Sequence, residues 1–349
     1  VNLKPKDKIF YYSTCGWMMW NWLVSSLSIG SSIVLYDGHP FYPENDSLLL
    51  KMDDLDIDYF GTSAKYIDAL SNMNVTPKNK YEFKSLKTIL STGSPLMDIH
   101  FDYVYSSWKE DVQLSSISGG TDIISCFVLG CPILPVYKGE IQCIGLGMSI
   151  KSLDNESNYK INKKGELVCD KPFPSMPIYF WNDCSNEKYL NAYFPNGSSI
   201  WNHGDFIKIN KIGSVVIYGR SDATLNPGGV RIGTSEIYKI VDSIDSIIDS
   251  AAVSYFTDNG NESIILFIKL EGKKIIDNDL IMKIKFKLKN EASPRHVPYS
   301  IYQVKDIPYT INGKKVEIII KNIINGYNIT NKDSLENPKC LDEYYNIII

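Results

Sequence analysis

The sequence predicts an α/β chain in two parts, a larger domain with a parallel sheet and a barrel-like β region, then a small α+β domain. Three observations carry that prediction. Strand-like and helix-like words alternate up to about residue 125. From about Gly130 the pattern shifts to short strands and turns. After the word Gly219-Arg220-Ser221-Asp222 an amphipathic helix begins, followed by paired strands. The boundaries drawn from this are 1–219 and 220–349, and a chain of 349 residues has room for two domains.

Taken in order, Ile33–Tyr36 reads as a strand closing at Asp37-Gly38. Asp58–Phe60 leads through Gly61-Thr62 into a helix over Ser63–Met73. Leu86–Leu90 is a strand that runs out in Ser91-Thr92-Gly93-Ser94-Pro95, and a helix then extends to about Trp108. Val112–Ile117 is the next strand, ending in the loop Ser118-Gly119-Gly120-Thr121-Asp122. Parallel strands need a crossover between them, so this βαβ rhythm argues for a mostly parallel sheet. Gly139–Gln142, Gly165–Cys169 and Val215–Tyr218 punctuate the antiparallel part.

In the second part, Thr234 or Ser235 can cap a helix whose Ile237, Ile240, Val241 and Ile244 follow the i, i+3, i+4, i+7 rule. Ala251–Phe256 and Ser263–Leu270 are strands, with Asp258-Asn259-Gly260 as their hairpin turn. Ile281, Ile284 and Leu288 mark another helix, Ser300–Val304 a strand, Pro308–Lys314 a loop, and Val316 the start of a last helix. The final ten or so residues read as a loose tail.

Composition excludes several classes of function. A net charge of −4 without a dense Lys/Arg run gives no nucleic-acid or anionic-membrane partner. No apolar run is long enough to span a bilayer. The seven cysteines are odd in number and contain no CxxC, a pattern of reduced, buried, structural thiols in the cytosol. The four histidines lie far apart, which argues against a zinc site. The start at Val1-Asn2-Leu3 is not a signal peptide and reads as a cut edge.

Ligands of parallel sheets bind beyond the C-terminal strand ends, so the loops there are where chemistry is sought. Ser91–Pro95, by itself, reads as a plain strand-to-helix turn. In Ser118–Asp122 the glycines allow close backbone approach, Thr121 offers a hydroxyl to a phosphate oxygen, and Asp122 could hold Mg²⁺; a tight turn explains the word equally well. Asp205, after Gly204, could accept two ribose hydroxyls or belong to an ordinary Gly-Asp turn. The stretch Gly219–Gly233 is harder to explain structurally, because two arginines share it with four interior and terminal glycines and an Asp. Pro308–Lys314 ends in Gly313-Lys314, a solvated lysine unless the loop folds over an anion. No Walker A loop, no dinucleotide fingerprint at Gly145-Leu146-Gly147 and no Gly-x-Ser-x-Gly elbow is present.

The order of these pieces resembles the acyl-adenylate-forming ligases. The words Gly16–Asn21, Gly61–Ile67, Lys171–Pro177 and Ser293–Pro298 look like the branch of that family that activates acetoacetate. The resemblance implies the C-terminal part of a large AMP-binding domain followed by a small mobile domain. It implies an enzyme that uses ATP and Mg²⁺ to form an acyl-adenylate, then passes the acyl group to CoA with release of AMP. In that frame Gly93, Ser94 and Pro95 border adenine and ribose, and Ser116, Ile117, Ser118, Gly119, Gly120 and Thr121 line the nucleotide. Thr121 meets the α-phosphate, Asp122 the metal, Asp205 and Arg220 the ribose, and Arg231 the phosphate. Asp222 is the hinge, Lys314 the lysine of the adenylation step, and Trp17 with Gly119 the acyl pocket, where glycine leaves room that an acetate-using relative fills with Trp.

Two departures from the family pattern are visible. Tyr309 and Asn312 stand where the family's terminal motif has Arg and Ser. The loop that wraps the β- and γ-phosphates falls upstream of Val1 in relatives, so these residues by themselves are expected not to turn over. A ligase for another short-chain acid and an inactive nucleotide-binding paralogue remain as alternatives.

Overall fold

A computed structural model of the chain describes residues 1–154, 156–221, 225, 227, 232–256, 262–311, 313–329 and 332–347. The chain divides into two units, residues 1–203 with 207–217, and residues 204–206 with 218–349.

The first unit opens with β1 (Lys8–Tyr11), α1 (Met19–Ser25), β2 (Ser32–Val34), α2 (Ser47–Asp54), β3 (Tyr59–Ser63), α3 (Ala64–Asn72), β4 (Thr88–Thr92), α4 (Asp98–Tyr103) and β5 (Gln113–Ser116). The five strands form one sheet in the order β2-β1-β3-β4-β5, with every adjacent pair parallel. Successive strand residues face opposite sides, so the sheet is buried twice over. Phe10, Phe60, Ile89 and Leu114 enter one apolar cluster with Leu48, Ile67, Leu70 and Trp108. Ile9, Tyr11, Tyr59 and Leu90 enter another with Trp17, Met19, Leu23, Ile117 and Cys126. Ser63 ends β3 and caps α3 by accepting from the Tyr66 N–H at 3.2 Å. The strand β4 reaches two residues further than its apolar run suggests and takes in Ser91 and Thr92, because both ladder with neighbours on β3 and Ser91 also with β5.

The next stretch of chain holds β6 (Ser118–Gly120), β7 (Ser125–Leu129), β8 (Cys143–Ile144), β9 (Ile150–Leu153), β10 (Tyr159–Lys160), β11 (Lys164–Cys169), α5 (Glu187–Tyr193), β12 (Trp201–Ile209) and β13 (Val215–Arg220), of which residues 204–206 and 218–220 count with the second unit. β6, β7 and β8 form a small antiparallel sheet, and the others form a five-stranded sheet ordered β10-β9-β11-β12-β13. Phe127, Phe173, Trp201, Ile207 and Val215 fill the core between them. Two corrections to the sequence reading follow. Ser118–Gly120 is a strand, held by pairing with β7 despite glycines that disfavour it. Asp205 lies inside β12, not in a turn.

The second unit continues with α6 (Thr234–Val241), β14 (Ile247–Phe256), β15 (Glu262–Leu270), α7 (Asn278–Glu291), β16 (Ser300–Gln303), α8 (Glu317–Ile324) and α9 (Leu341–Tyr345). β14 and β15 are antiparallel, and β16 joins β15 in parallel. The cap of α6 is Gly233, whose N–H donates to Glu236 at 2.9 Å, one residue earlier than expected. The hairpin turn at 258–260 lies outside the described residues. Residues 341–345 are not part of a loose tail: Leu341 and Tyr344 are 2% and 1% exposed in the unit's core, and the Tyr344 hydroxyl donates to the Asp306 carbonyl at 2.9 Å.

The seven cysteines are all unbridged, but only Cys126 and Cys169 are buried, while Cys15 and Cys184 are exposed. Burial pushes the Cys126 thiol up to about 12. Among the described residues, no helix is long and apolar enough to cross a membrane.

Candidate active site

The C-terminal ends of β4 and β5 lie side by side in the parallel sheet, and the two candidate loops continue from them. They are tied together there. The Thr92 hydroxyl donates to the Ile117 carbonyl at 3.1 Å, and the Ile117 N–H donates to the Ser91 carbonyl at 2.9 Å. Gly93 follows with φ +95°, and the ring of Trp17 lies 3.7 Å from where its Cβ would stand. The structure therefore places the start of the Gly93–Pro95 loop beside Ile117, with Trp17 against Gly93. Ser116 and Ile117 are buried, whereas Thr121 and Asp122 are exposed in the turn between β6 and β7.

The glycines of β6 have a steric explanation. A Cβ at Gly119 would stand 2.1 Å from the Ser125 carbonyl oxygen and 2.7 Å from the Cys126 Cα, both backbone atoms of β7. A Cβ at Gly120 would stand 2.8 Å from the His203 ring. Close approach of two strands at a bulge accounts for glycine at 119 without an open pocket beside it. A Gly119→Trp exchange would meet β7 before any substrate, so it is no test of acyl specificity. Gly119→Ala is expected to destabilise the first unit by about 1–3 kcal/mol through overpacking, read as a lowered midpoint in denaturant. An unchanged midpoint would mean that the two strands separate freely at this point.

Two side chains that the sequence reading passed over complete this region. His203, buried on β12, places Nε2 3.2 Å from the Gly119 carbonyl oxygen and packs edge-on against Phe127. The Tyr193 hydroxyl donates to Asp122, and its ring stacks on Trp201 at 3.7 Å between centroids. His203 belongs to the same word as Asp205, so its rarity in the chain was an available signal. Nothing local marks Tyr193, which reaches Asp122 only through the fold.

The second unit brings together three of the candidates. Asp205 is 7% exposed, and its Oδ1 lies 3.4 Å from Nη1 of Arg220. Gly204 has φ +77°, and the Arg220 guanidinium lies 2.9 Å from the place of its missing Cβ, so glycine is required twice over. Lys314 is exposed as a residue, yet its pKa is lowered. Crowding of its ammonium by protein atoms is the larger cause, the positive field of Arg220 adds to it, and Asp205 offsets part of both. Its loop is a tight turn, with Thr310 N–H to Lys314 carbonyl and Gly313 N–H to Thr310 carbonyl both at 2.8 Å, and Lys314 N–H to the Thr310 hydroxyl at 3.1 Å. Asp222, Arg231 and Asn312 lie outside the described residues.

Among the described residues, no cluster of three or more His, Cys, Asp or Glu could hold a metal ion. Mg²⁺ often takes only one or two protein carboxylates plus substrate phosphates and waters, and the exposed Asp122 fits that mode.

No family model matches the chain. Curated relatives do. An acetoacetyl-CoA synthetase of Danio rerio is 48% identical over 347 residues, 99% of this chain and 52% of that protein. An acetoacetyl-coenzyme A synthetase of Rhizobium meliloti (strain 1021) is 46% identical over 340 residues, 97% of this chain and 52% of the relative. Among solved structures, acetoacetyl-CoA synthetase from Streptomyces lividans superposes with a TM-score of 0.90 at 37% identity, covering 99% of this chain and 53% of that one. An anthranilate CoA ligase in complex with anthranoyl-AMP shares the fold, at TM-score 0.75 and 18% identity over 90% of this chain and 59% of its own. The chain is thus similar over nearly its whole length to acetoacetyl-CoA synthetases and shares the fold of one of them, and it spans about half the length of the curated relatives it matches.

Proposed function

We propose that this chain carries part of the machinery of an AMP-forming acid–thiol ligase, which converts acetoacetate, ATP and CoA to acetoacetyl-CoA, AMP and pyrophosphate. The observation that most supports this reading is the 48% identity to an acetoacetyl-CoA synthetase, sustained over 99% of the chain.

In the first half-reaction a carboxylate oxygen attacks the α-phosphorus, and the bond to pyrophosphate breaks. Negative charge grows on the phosphate oxygens, and preorganised positive groups stabilise it more than they stabilise bound ATP. Lys314 would supply an ammonium to the α-phosphate, with Arg231 and the Thr121 hydroxyl as further donors. Asp205, little hydrated and flanked by Arg220, suits two ribose hydroxyls. Gly93, Ser94 and Pro95 would border the adenine, with Ser116–Gly120 as the nucleotide wall and Trp17 facing the acyl group. Asp122 would hold Mg²⁺, which neutralises phosphate charge when bound, and the Tyr193 hydroxyl would fix that carboxylate's orientation. In the second half-reaction the thiol of CoA gives up its proton, its sulfur attacks the acyl carbon, and AMP leaves. A change of orientation at Asp222 would exchange the surroundings of the two steps. The unbridged cysteines fit a reducing compartment, the cytosol.

The test is a panel of short acids given to the intact protein with ATP, Mg²⁺ and CoA. Acetoacetate is expected to give the highest kcat/KM for AMP release, with acyl-CoA formed in equal amount. Preference for another acid would replace the substrate and keep the class; no AMP with any acid would remove both.

A further inference from the structure

We infer that Lys315 is a positioning residue for the adenylation step, because its buried ion pair clamps both ends of the turn that presents Lys314. This rests on the role proposed for Lys314 above.

The two neighbouring lysines live in different surroundings. Lys314 is exposed, whereas the Lys315 side chain keeps only 14% of its surface open. The Lys315 ammonium stands 2.8 Å from Asp249 Oδ1, donates to the Ser250 carbonyl, and lies 4.1 Å from the centroid of the Tyr238 ring. The other oxygen of Asp249 accepts from the Tyr309 hydroxyl at 2.9 Å. Tyr309 and Lys315 face each other across the turn as an antiparallel bridge. One carboxylate on β14 therefore grips both feet of the turn, and Lys314 is carried between them. Tyr309 is a departure from the family motif, and this geometry gives it work that the motif's arginine would not do in the same way.

Energetics favours a positioning role over a purely stabilising one. An ammonium taken out of water loses its hydration, and a buried ion pair often returns little net stability. What it fixes firmly is geometry. Burial alone would lower the Lys315 pKa, but Asp249 first, then the Tyr309 and Tyr238 hydroxyls, hold it well above the ordinary value. The clamp thus stays charged through the pH range in which the enzyme would work. The same tyrosine, Tyr238, passes its hydroxyl hydrogen to Glu317 at 3.1 Å, which ties α6 to the start of α8 just past the turn.

A double-mutant cycle in the intact protein tests this. Lys315→Met keeps the length of the stem and removes the charge. It is expected to slow acetoacetate-dependent adenylation about tenfold or more with wild-type Lys314, but by less than about threefold in a Lys314→Ala background, since residues acting as a unit are not additive. Thioester formation from supplied acetoacetyl-adenylate should stay near normal. Tyr309→Phe, which loosens only one arm of the clamp, should act in the same direction by a few-fold, and it keeps the test usable if Lys315→Met fails to fold. Equal losses in both backgrounds, or equal loss in both half-reactions, would overturn the inference and leave Lys315 a structural residue. Full adenylation by Lys314→Ala alone would instead remove the reading of Lys314 on which the inference rests.

Discussion

Replacing Lys314 by alanine is expected to slow acetoacetate-dependent adenylation by about two to three orders of magnitude while thioester formation from supplied acetoacetyl-adenylate continues near its normal rate. Loss of one preorganised donor from a developing oxyanion costs roughly 3–4 kcal/mol, which sets that size. The sparing of the second step follows from the proposed change of orientation at Asp222, which would carry Lys314 away from the phosphate before the thiol attacks. The pH dependence gives an independent reading. On this proposal the ammonium would do the stabilising, so activity should be full below the pKa of Lys314 and be lost as pH rises through it. Crowding and Arg220 depress that pKa, so the alkaline limb of kcat/KM for ATP should fall below the position of an ordinary lysine. Lys314→Ala should abolish that limb. Equal loss in both half-reactions, or an alkaline limb that survives the substitution, would assign the lysine another task.

The second large effect is expected at Asp205. Its carboxylate is nearly buried and has Arg220 at 3.4 Å, so it is held ready to accept hydrogen bonds without much water to displace. Two hydrogen bonds to a charged acceptor are each worth about 1.5–3 kcal/mol, so Asp205→Ala should raise the KM for ATP by about a hundredfold or more. The same interaction should make wild type discriminate against 2′-deoxy- and 3′-deoxy-ATP, and the variant should lose that discrimination. A variant that still favours the ribose would place the sugar elsewhere, however large its loss of activity.

Local pattern made much of the fold legible. The Ile237, Ile240, Val241 series becomes α6, and the two apolar runs on either side of residues 258–260 become β14 and β15. These elements carry their own periodicity. What stayed hidden depends on distant partners. Ser118–Gly120 has little strand propensity and is a strand only because β7 lies beside it. Leu341 and Tyr344 look like members of a loose tail until the core of the second unit is there to receive them. The same holds within the candidate site. Arg220 stands out as a charge in a glycine-rich stretch, whereas Asp205 and Lys314, each after a glycine, are assigned roles only by the family resemblance. Lys315 is marked by neither, because its burial depends on Asp249 in a strand far upstream, and a Gly-Lys-Lys word gives no hint of which lysine faces inward. Gly119 was legible as a special position, but its reason is a backbone contact that no single sequence displays.

Isotope exchange between ATP and labelled pyrophosphate, run on the intact protein with acetoacetate and without CoA, tests the central claim most directly. Formation of an acyl-adenylate and its reversal by pyrophosphate require no thiol, so the account predicts rapid exchange that depends on acetoacetate and collapses in Lys314→Ala. Absence of exchange with acetoacetate and every other short acid, or exchange that proceeds equally well without any acid, would contradict it.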